Sequence, residues 1–495
     1  MLRRFTFLLV SLCVGCTAIG SAPATARAAE PVPNGLSEWS QVETTRTPAT
    51  ELSAPDDLSS VDVMSLNCSS EDFTASFVKL TDIDTFFVGT AGSTAIITAH
   101  GRFGIETLDT GTGAVFEIRV DDLAPVLGSA RLSVRSDEVG LVPALQNSAT
   151  GVFSNLDIGT HMVSIWVRGE NSGSGTRAMI DPGCWSSDHL VVEAYRDAAI
   201  QPIAVPQASL PTFSETSTKI ADIGNFSVDS TNSVVELSYI GRFAVLSFEP
   251  TSYGAAFELR VDDQPSPLGW AAAQILDFEA GGFGQPIRIT AVFPYLEAGN
   301  HTASIWVYGS VAGGTDAQIN PGGWYDQLVV TEHEHVRATV MNFPWDPGVN
   351  FTESPTKVMD VGAFNVADPS SVVELKLNGR FGATSIDGYG AIFDLRVDDL
   401  PVTIGRARIP LKPSEVGFFG DDVPASMTAM FTGLAPGSHT ASLWVTGISG
   451  GGTQAGINRG GWNTDHLVVL EHGFNWIFTD GFESGNTMSW SSIKP

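Results

Sequence analysis

An all-β fold is predicted for this chain: three tandem antiparallel β-sandwich modules of jelly-roll type. Three observations predict it. A segment of domain size recurs three times, apolar residues alternate with a period of two inside each copy, and Gly, Asn and Pro break the pattern roughly every 8 to 12 residues. No stretch shows the 3.6-residue period of an amphipathic helix of useful length.

The recurrence is explicit. Gly101-Arg102-Phe103 returns as Gly241-Arg242-Phe243 and as Gly379-Arg380-Phe381. Phe116-Glu117-Ile118-Arg119-Val120-Asp121-Asp122 returns from Phe257 and from Phe393, and His161-Met162-Val163-Ser164-Ile165-Trp166-Val167 from His301 and from His439. The step is 136 to 141 residues throughout. Solenoid units repeat at roughly 20 to 50 residues and cannot fold alone, whereas a unit of this size can close its own core.

The modules are placed at 73–195, 213–333 and 351–472. Each opens alike, with Phe73-Thr74, Phe213-Ser214 or Phe351-Thr352 followed six residues later by Lys79, Lys219 or Lys357. Val372 to Leu377 alternates as a strand. In Phe257-Glu258-Leu259-Arg260-Val261 the apolar side chains share one face and the charged ones the other, and Asp262-Asp263 then turns the chain. In the third block Ala303, Ile305 and Val307 form the core face, so Trp306 points away from it, as do Trp166 and Trp444. That outward Trp lies under a loop, against a ligand, or against another module. Leu467 to Leu470 is the last strand. Between modules, stretches bearing Pro202, Pro206 and Pro211, or Pro344 and Pro347, read as stiff, extended linkers. Each has 17 residues, about 50 Å of reach, which permits a string of beads or an intramolecular pseudo-trimer. Residues 213–333 are expected to fold alone.

The ends and the composition bound the setting. Residues 1–28 read as a signal peptide: Arg3 and Arg4, an apolar stretch to Cys16, and Ala26-Arg27-Ala28 as the cleavage site. Gly15-Cys16 offers a lipoprotein anchor as the alternative. Residues 29–72 read as a flexible lead-in, and no later run has membrane-spanning length. Losing Arg3, Arg4 and Arg27 takes the formal charge from −29 to −32. So acidic a chain repels phosphate backbones and excludes nucleic acid as a partner. Cys68 and Cys184 alone survive processing, which predicts one disulfide in an exported protein.

The module, with its Gly-His-Thr entry to a late apolar strand, resembles the jelly rolls of the complement and tumour necrosis factor type; the resemblance implies trimer-forming sheets. The tail, Asp480-Gly481-Phe482-Glu483-Ser484-Gly485 within residues 473–495, is similar to an ending found on exported bacterial proteins and implies secretion or surface display.

Candidate chemistry concentrates in loops. The Gly-rich stretch before the last strand carries Trp185, Trp324 or Trp462 near Asp181, Asn320 or Asn458, aromatic and polar groups suited to a sugar ring and its hydroxyls. The Asp pairs 121 and 122, 262 and 263, 398 and 399 (Asp121, Asp122, Asp262, Asp263, Asp398, Asp399), with Asp82, Asp222 and Asp360, suit either turns or Ca2+. Arg102, Arg242, Arg380, Arg119, Arg260 and Arg396 are expected in cross-strand ion pairs. His333-Glu334-His335 reads as a solvated linker rather than a metal site. Gly111-Thr112-Gly113 precedes a strand, not a helix, which speaks against a nucleotide loop. No nucleophile elbow or metalloprotease helix is present, so the chain is not expected to be an enzyme. The expected function is multivalent, non-catalytic binding of an extracellular glycan or surface polymer. A structural protein of packed modules is the alternative, and a secreted glycan hydrolase the third.

Overall fold

The computed structural model describes residues 58–473 except 136–144, 183–186, 277–283, 414–421, 459–463 and residues 197, 324, 347, 385 and 406. Among the described residues there are thirty strands and no helix, ten strands to each module. The signal-peptide and tail readings, and Pro347, lie outside the described residues.

In the first module β1 (Leu58–Ser65), β2 (Ser69–Phe73), β4 (Ser93–Thr110), β7 (Leu145–Leu156), β9 (Ser174–Ile180) and β10 (His189–Tyr195) form the larger sheet. The long β4 is its spine. Along one edge it pairs with β10 through Thr94–His100 and with β9 beyond Phe103, and along the other with β7. The smaller sheet is ordered β3 (Val78–Val88), β8 (Gly159–Gly169), β5 (Gly113–Val120), β6 (Arg131–Arg135). Both sheets recur in the second module, β11 to β20, and in the third, β21 to β30. Alternation places the cores as expected: Phe257, Leu259, Val261, Ala303, Ile305 and Val307 lie in one buried cluster between the two sheets.

The modules begin earlier than the sequence repeat does. The first two strands, Leu58–Ser65 and Ser69–Phe73, fall where a flexible lead-in was expected. The Pro-bearing stretches are not linkers either. They are the edge strands β11 (Ala199–Ala204), β12 (Ala208–Phe213), β21 (Arg337–Asn342) and β22 (Val349–Phe351), which pair with β20 (Gln327–His333), β19 (Gly314–Ile319), β30 (His466–His472) and β29 (Gly452–Ile457). Proline lacks an N–H to donate, so sheets admit it at their edges, and Pro202 and Pro211 stand on such strands. Composition misled here because an edge strand and a linker share it.

The three larger sheets meet one another. Strands β7, β17 (Gln285–Pro294) and β27 (Val423–Thr432) each touch the other two. The Arg of the Gly-Arg-Phe motif reaches across: Arg242 donates to Ser133 O of the first module at 2.9 Å, and Arg380 to Gln274 O of the second at 3.2 Å. Arg102 is likewise buried. The guanidinium groups of Arg242 and Arg380 thus bond the backbone of a neighbouring module, a contact that the expectation of cross-strand ion pairs did not include. The preceding Gly has a separate cause. Asp188, Asp326 and Asp465 accept from the backbone N–H of Arg102, Arg242 and Arg380 at 2.7, 2.7 and 3.0 Å. A Cβ at Gly241 would stand 2.3 Å from Asp326 Oδ2, so a side chain there would displace that carboxylate.

Candidate functional site

The outer face of each smaller sheet carries one array three times. Register sets Glu117 and Lys79 opposite Trp166, and Arg119 opposite Ser164. A bulge between Lys79 and Thr81 returns Asp82 to the side of Lys79, whose ammonium it meets at 2.9 Å. The same ammonium meets Asp122 at 2.6 Å. The Arg119 guanidinium lies 4.3 Å from the Trp166 ring centroid while its Nε donates to Glu117 at 2.7 Å, and the indole N–H donates to Ser164 at 3.0 Å. Arg260 on Trp306 and Arg396 on Trp444 repeat the stack, both at 4.4 Å. The outward Trp is thus half-buried under its own module's Arg. Neither a loop nor a second module supplies that stack. Arg119, Arg260 and Arg396 take their carboxylates from two residues away on the same strand rather than from across it.

The Asp pairs are turn residues. All six have positive φ, from 49° to 64°, and Val120 and Leu123 exchange backbone hydrogen bonds around the first pair, closing a two-residue hairpin loop. The carboxylates are already engaged. Lys79, Lys219 and Lys357 each stand between two of them: Asp82 and Asp122, Asp222 and Asp263, Asp360 and Asp399. The protein's own ammonium therefore fills the place expected for Ca2+, and no group of three or more candidate metal ligands occurs among the described residues.

Asp121, Asp262 and Asp398 hold the recurring His. His161 Nδ1 donates to Asp121 at 2.7 Å and its Nε2 to Asp157 O at 2.9 Å; His301 and His439 repeat both contacts. Two acceptors favour the ring with both nitrogens protonated. Burial opposes that charge, but the carbonyl and the carboxylate outweigh it, and all three rings are held above their ordinary pKa. A raised folded value stabilises fully below about pH 6.5 and fades as pH rises through the folded value. His301→Gln is accordingly expected to cost about 1 kcal/mol at about pH 5.5 and less at about pH 8.5, measured by denaturant unfolding. An equal cost at both values would show that the ring is neutral.

The Gly-rich loop candidates divide. Trp185, Trp324 and Trp462 lie outside the described residues. Asp181, Asn320 and Asn458 are 2 to 4% exposed, with positive φ, so they face inward instead of offering polar atoms to a sugar. Asn320 Nδ2 donates to Val205 O and Asn458 Nδ2 to Phe343 O, both at 2.8 Å, pinning the edge strands of their modules. Cys68 is disulfide-bonded; Cys184, read as its partner, lies outside the described residues.

Two features escaped the sequence. One is an aromatic pair found only in the middle module among the described residues: Trp270, 47% exposed, meets Tyr308 edge-to-face at 5.8 Å. Neither falls in a repeated block, so recurrence did not mark them. The other is a buried charge cluster where the three modules meet. Lys376 Nζ donates to both Glu236 oxygens at 2.9 Å and stands 2.9 Å from Glu374 and 3.6 Å from Glu193. His333 and His472 approach Glu236 and Glu374 at 3.2 Å, and Tyr195 donates to Glu193 at 2.9 Å. His333 is therefore not part of a solvated linker, although Glu334 and His335 beside it are exposed. Burial works against the Lys376 ammonium, but the three carboxylates hold its pKa above the ordinary value. Burial likewise raises Glu236, yet Lys376 and His333 outweigh it and hold that carboxylate down.

No protein-family model matches this chain, and no curated protein was found to be similar to it.

Proposed function

We propose that the chain is an exported, non-catalytic protein that binds an extracellular glycan or surface polymer through three modules held as one cluster. The observation that carries this reading is the division of labour between the sheets. The larger sheets are occupied with one another, while the smaller ones repeat the same Trp–Arg–carboxylate array on their outer faces. Weak sites fixed in one body gain avidity of about 10² or more over a single site. Trp185, Trp324 and Trp462 remain the ligand contacts in this reading, joined by the exposed Trp270. Export proceeds through the signal peptide at 1–28, with lipid anchorage at Cys16 as the variant, and Cys68 pairs with Cys184.

A glycan array probed with residues 29–495 tests it. A bound glycan is expected, and Trp324→Ala should lower apparent affinity roughly tenfold or more without changing the melting temperature. An array without hits would favour the second reading, a structural protein. The buried junction between modules is the observation on which that reading rests.

A further inference from the structure

The three outer arrays are not equal. In the first module three guanidinium groups converge on one ring: Arg119, Arg168 and Arg131 lie 4.8, 5.1 and 5.5 Å from the Phe77 centroid, each within cation–π range. Register accounts for the convergence. Arg131 on β6 stands opposite Glu117, and Arg168 follows Trp166 by two residues on β8, on the same face. A residue of the second module completes the cluster. The Tyr325 ring centroid lies 5.0 Å from the Arg131 guanidinium, and the Tyr325 hydroxyl accepts from Arg168 Nη2 at 2.9 Å. Ser129 fixes that segment, its hydroxyl donating to Tyr325 O at 3.2 Å and its backbone N–H to Gln327 Oε1 at 3.1 Å.

Charge does not balance there. Glu117 is the one carboxylate that these three Arg residues contact among the described residues, and it is buried and divided between Arg119 and Arg131 at 2.7 and 2.5 Å. Donors are left over. Both Nη groups of Arg131 and Nη1 of Arg168 meet no acceptor among the described residues, and Arg168 Nε is buried without one. The other copies do not repeat the cluster. Ser217 and Pro355 stand where Phe77 does, Tyr308 and Thr446 where Arg168 does, and Ala272 and Arg408 pair where Arg131 does. In the second module Ser217 accepts from Arg260 instead. Those two copies build the same four-stranded sheet, so the fold does not require the cluster.

We propose that Arg131 and Arg168 of the first module, with Tyr325 of the second, form a site for the anionic group of an acidic polysaccharide, a carboxylate or a sulfate. The inference rests on the glycan reading above and narrows it to one class of sugar at one place. Guanidinium groups present N–H pairs that match the paired oxygens of such a group, and an arriving anion relieves the mutual repulsion of three cations around one ring. Tyr325 and Phe77 supply aromatic faces beside it for the C–H groups of the sugar. The formal charge of −29 does not forbid the encounter. At physiological salt, exposed charges more than about 8 Å away are largely screened, so the local excess of cation decides.

Residues 29–495 and their variants, titrated with polygalacturonate, dextran sulfate and neutral dextran, test it. The parent should bind one of the polyanions and prefer it to dextran, and which one it binds tells carboxylate from sulfate. Arg131→Gln and Arg168→Gln should each weaken that binding roughly tenfold or more, the scale of one charge-assisted contact. Arg168→Lys, which keeps the charge without the fork, should fall between. Arg177→Gln, on the larger sheet and paired with Glu106, should bind as the parent does. Melting temperatures run alongside. If Arg168→Gln proves unstable, Arg131→Gln decides, because the Arg131 side chain is 29% exposed and Glu117 keeps Arg119. Undiminished polyanion binding by a folded Arg131→Gln, or binding of neutral glycans alone, would overturn this site and leave the glycan reading standing. A glycan array without hits would remove both.

Discussion

Lys376→Met is expected to destabilise the chain by about 3 to 5 kcal/mol, the range for removing one partner of a buried ion pair. The side chain is 4% exposed and is the centre of the junction, within 2.9 Å of Glu236 and Glu374. Met fills much of the same volume, so the loss is electrostatic rather than a cavity. The carboxylates left behind are buried and lose the ammonium that offsets their desolvation. Single domains are stable by about 5 to 15 kcal/mol in total, so the variant should unfold at markedly lower denaturant. The partner experiment separates charge from shape. Adding Glu236→Gln and Glu374→Gln to Lys376→Met removes the stranded charges, and about half of the loss or more should return. A cost below about 1 kcal/mol for Lys376→Met alone would mean that solvent reaches the cluster and the junction is looser than the distances imply.

Recurrence and alternation made the fold class and core faces legible, because both follow from covalent geometry. A strand alternates whatever surrounds it, and a copied module copies its pattern. Phe257, Leu259 and Val261 could therefore be assigned inward without coordinates. The junction was hidden for the opposite reason. It is built where the copies differ: Lys376 occupies the register position of Thr98 and Ser238, while Glu236 and Glu374 occupy that of Ile96. A comparison that seeks what recurs passes over such positions. The constant residues of the junction were visible but only partly read. For Arg242 and Arg380 only ion pairing was expected, because sequence does not show that another module's backbone waits opposite them. Asp188, Asp326 and Asp465 recur just before the last strand in all three copies and passed unread, since Asp is common in turns. Burial pushes them up to about 6, 7 and 7, respectively, a sign of how fully the Gly-Arg backbone encloses them.

The middle copy cut at its sequence-repeat boundaries, 213–333, is expected not to fold, although its length alone allows a closed core. The cut removes β11 and all but the last residue of β12. With them go Val205, 5% exposed in the core, and the partly buried Ile203, Ala208 and Leu210 that pack against it. Each aliphatic side chain withdrawn from such a core costs about 1.5 to 3 kcal/mol when fully buried, so the group approaches the whole stability of a domain. Asn320 also loses the Val205 carbonyl that its amide holds, leaving a buried donor without its acceptor. Cutting at 199–333 restores both edge strands and repairs these losses. It still bares Glu236 and Arg288, which in the full chain are buried against Lys376 and His100 of the other modules. The expected order of stability is therefore full chain, then 199–333, then 213–333. Circular dichroism melts of the three constitute the measurement, with 213–333 giving no cooperative transition. A sharp β-type melt from 213–333, close to that of 199–333, would show that the edge strands decorate the module rather than complete it, and the Pro-bearing stretches would then act as the linkers their composition suggests.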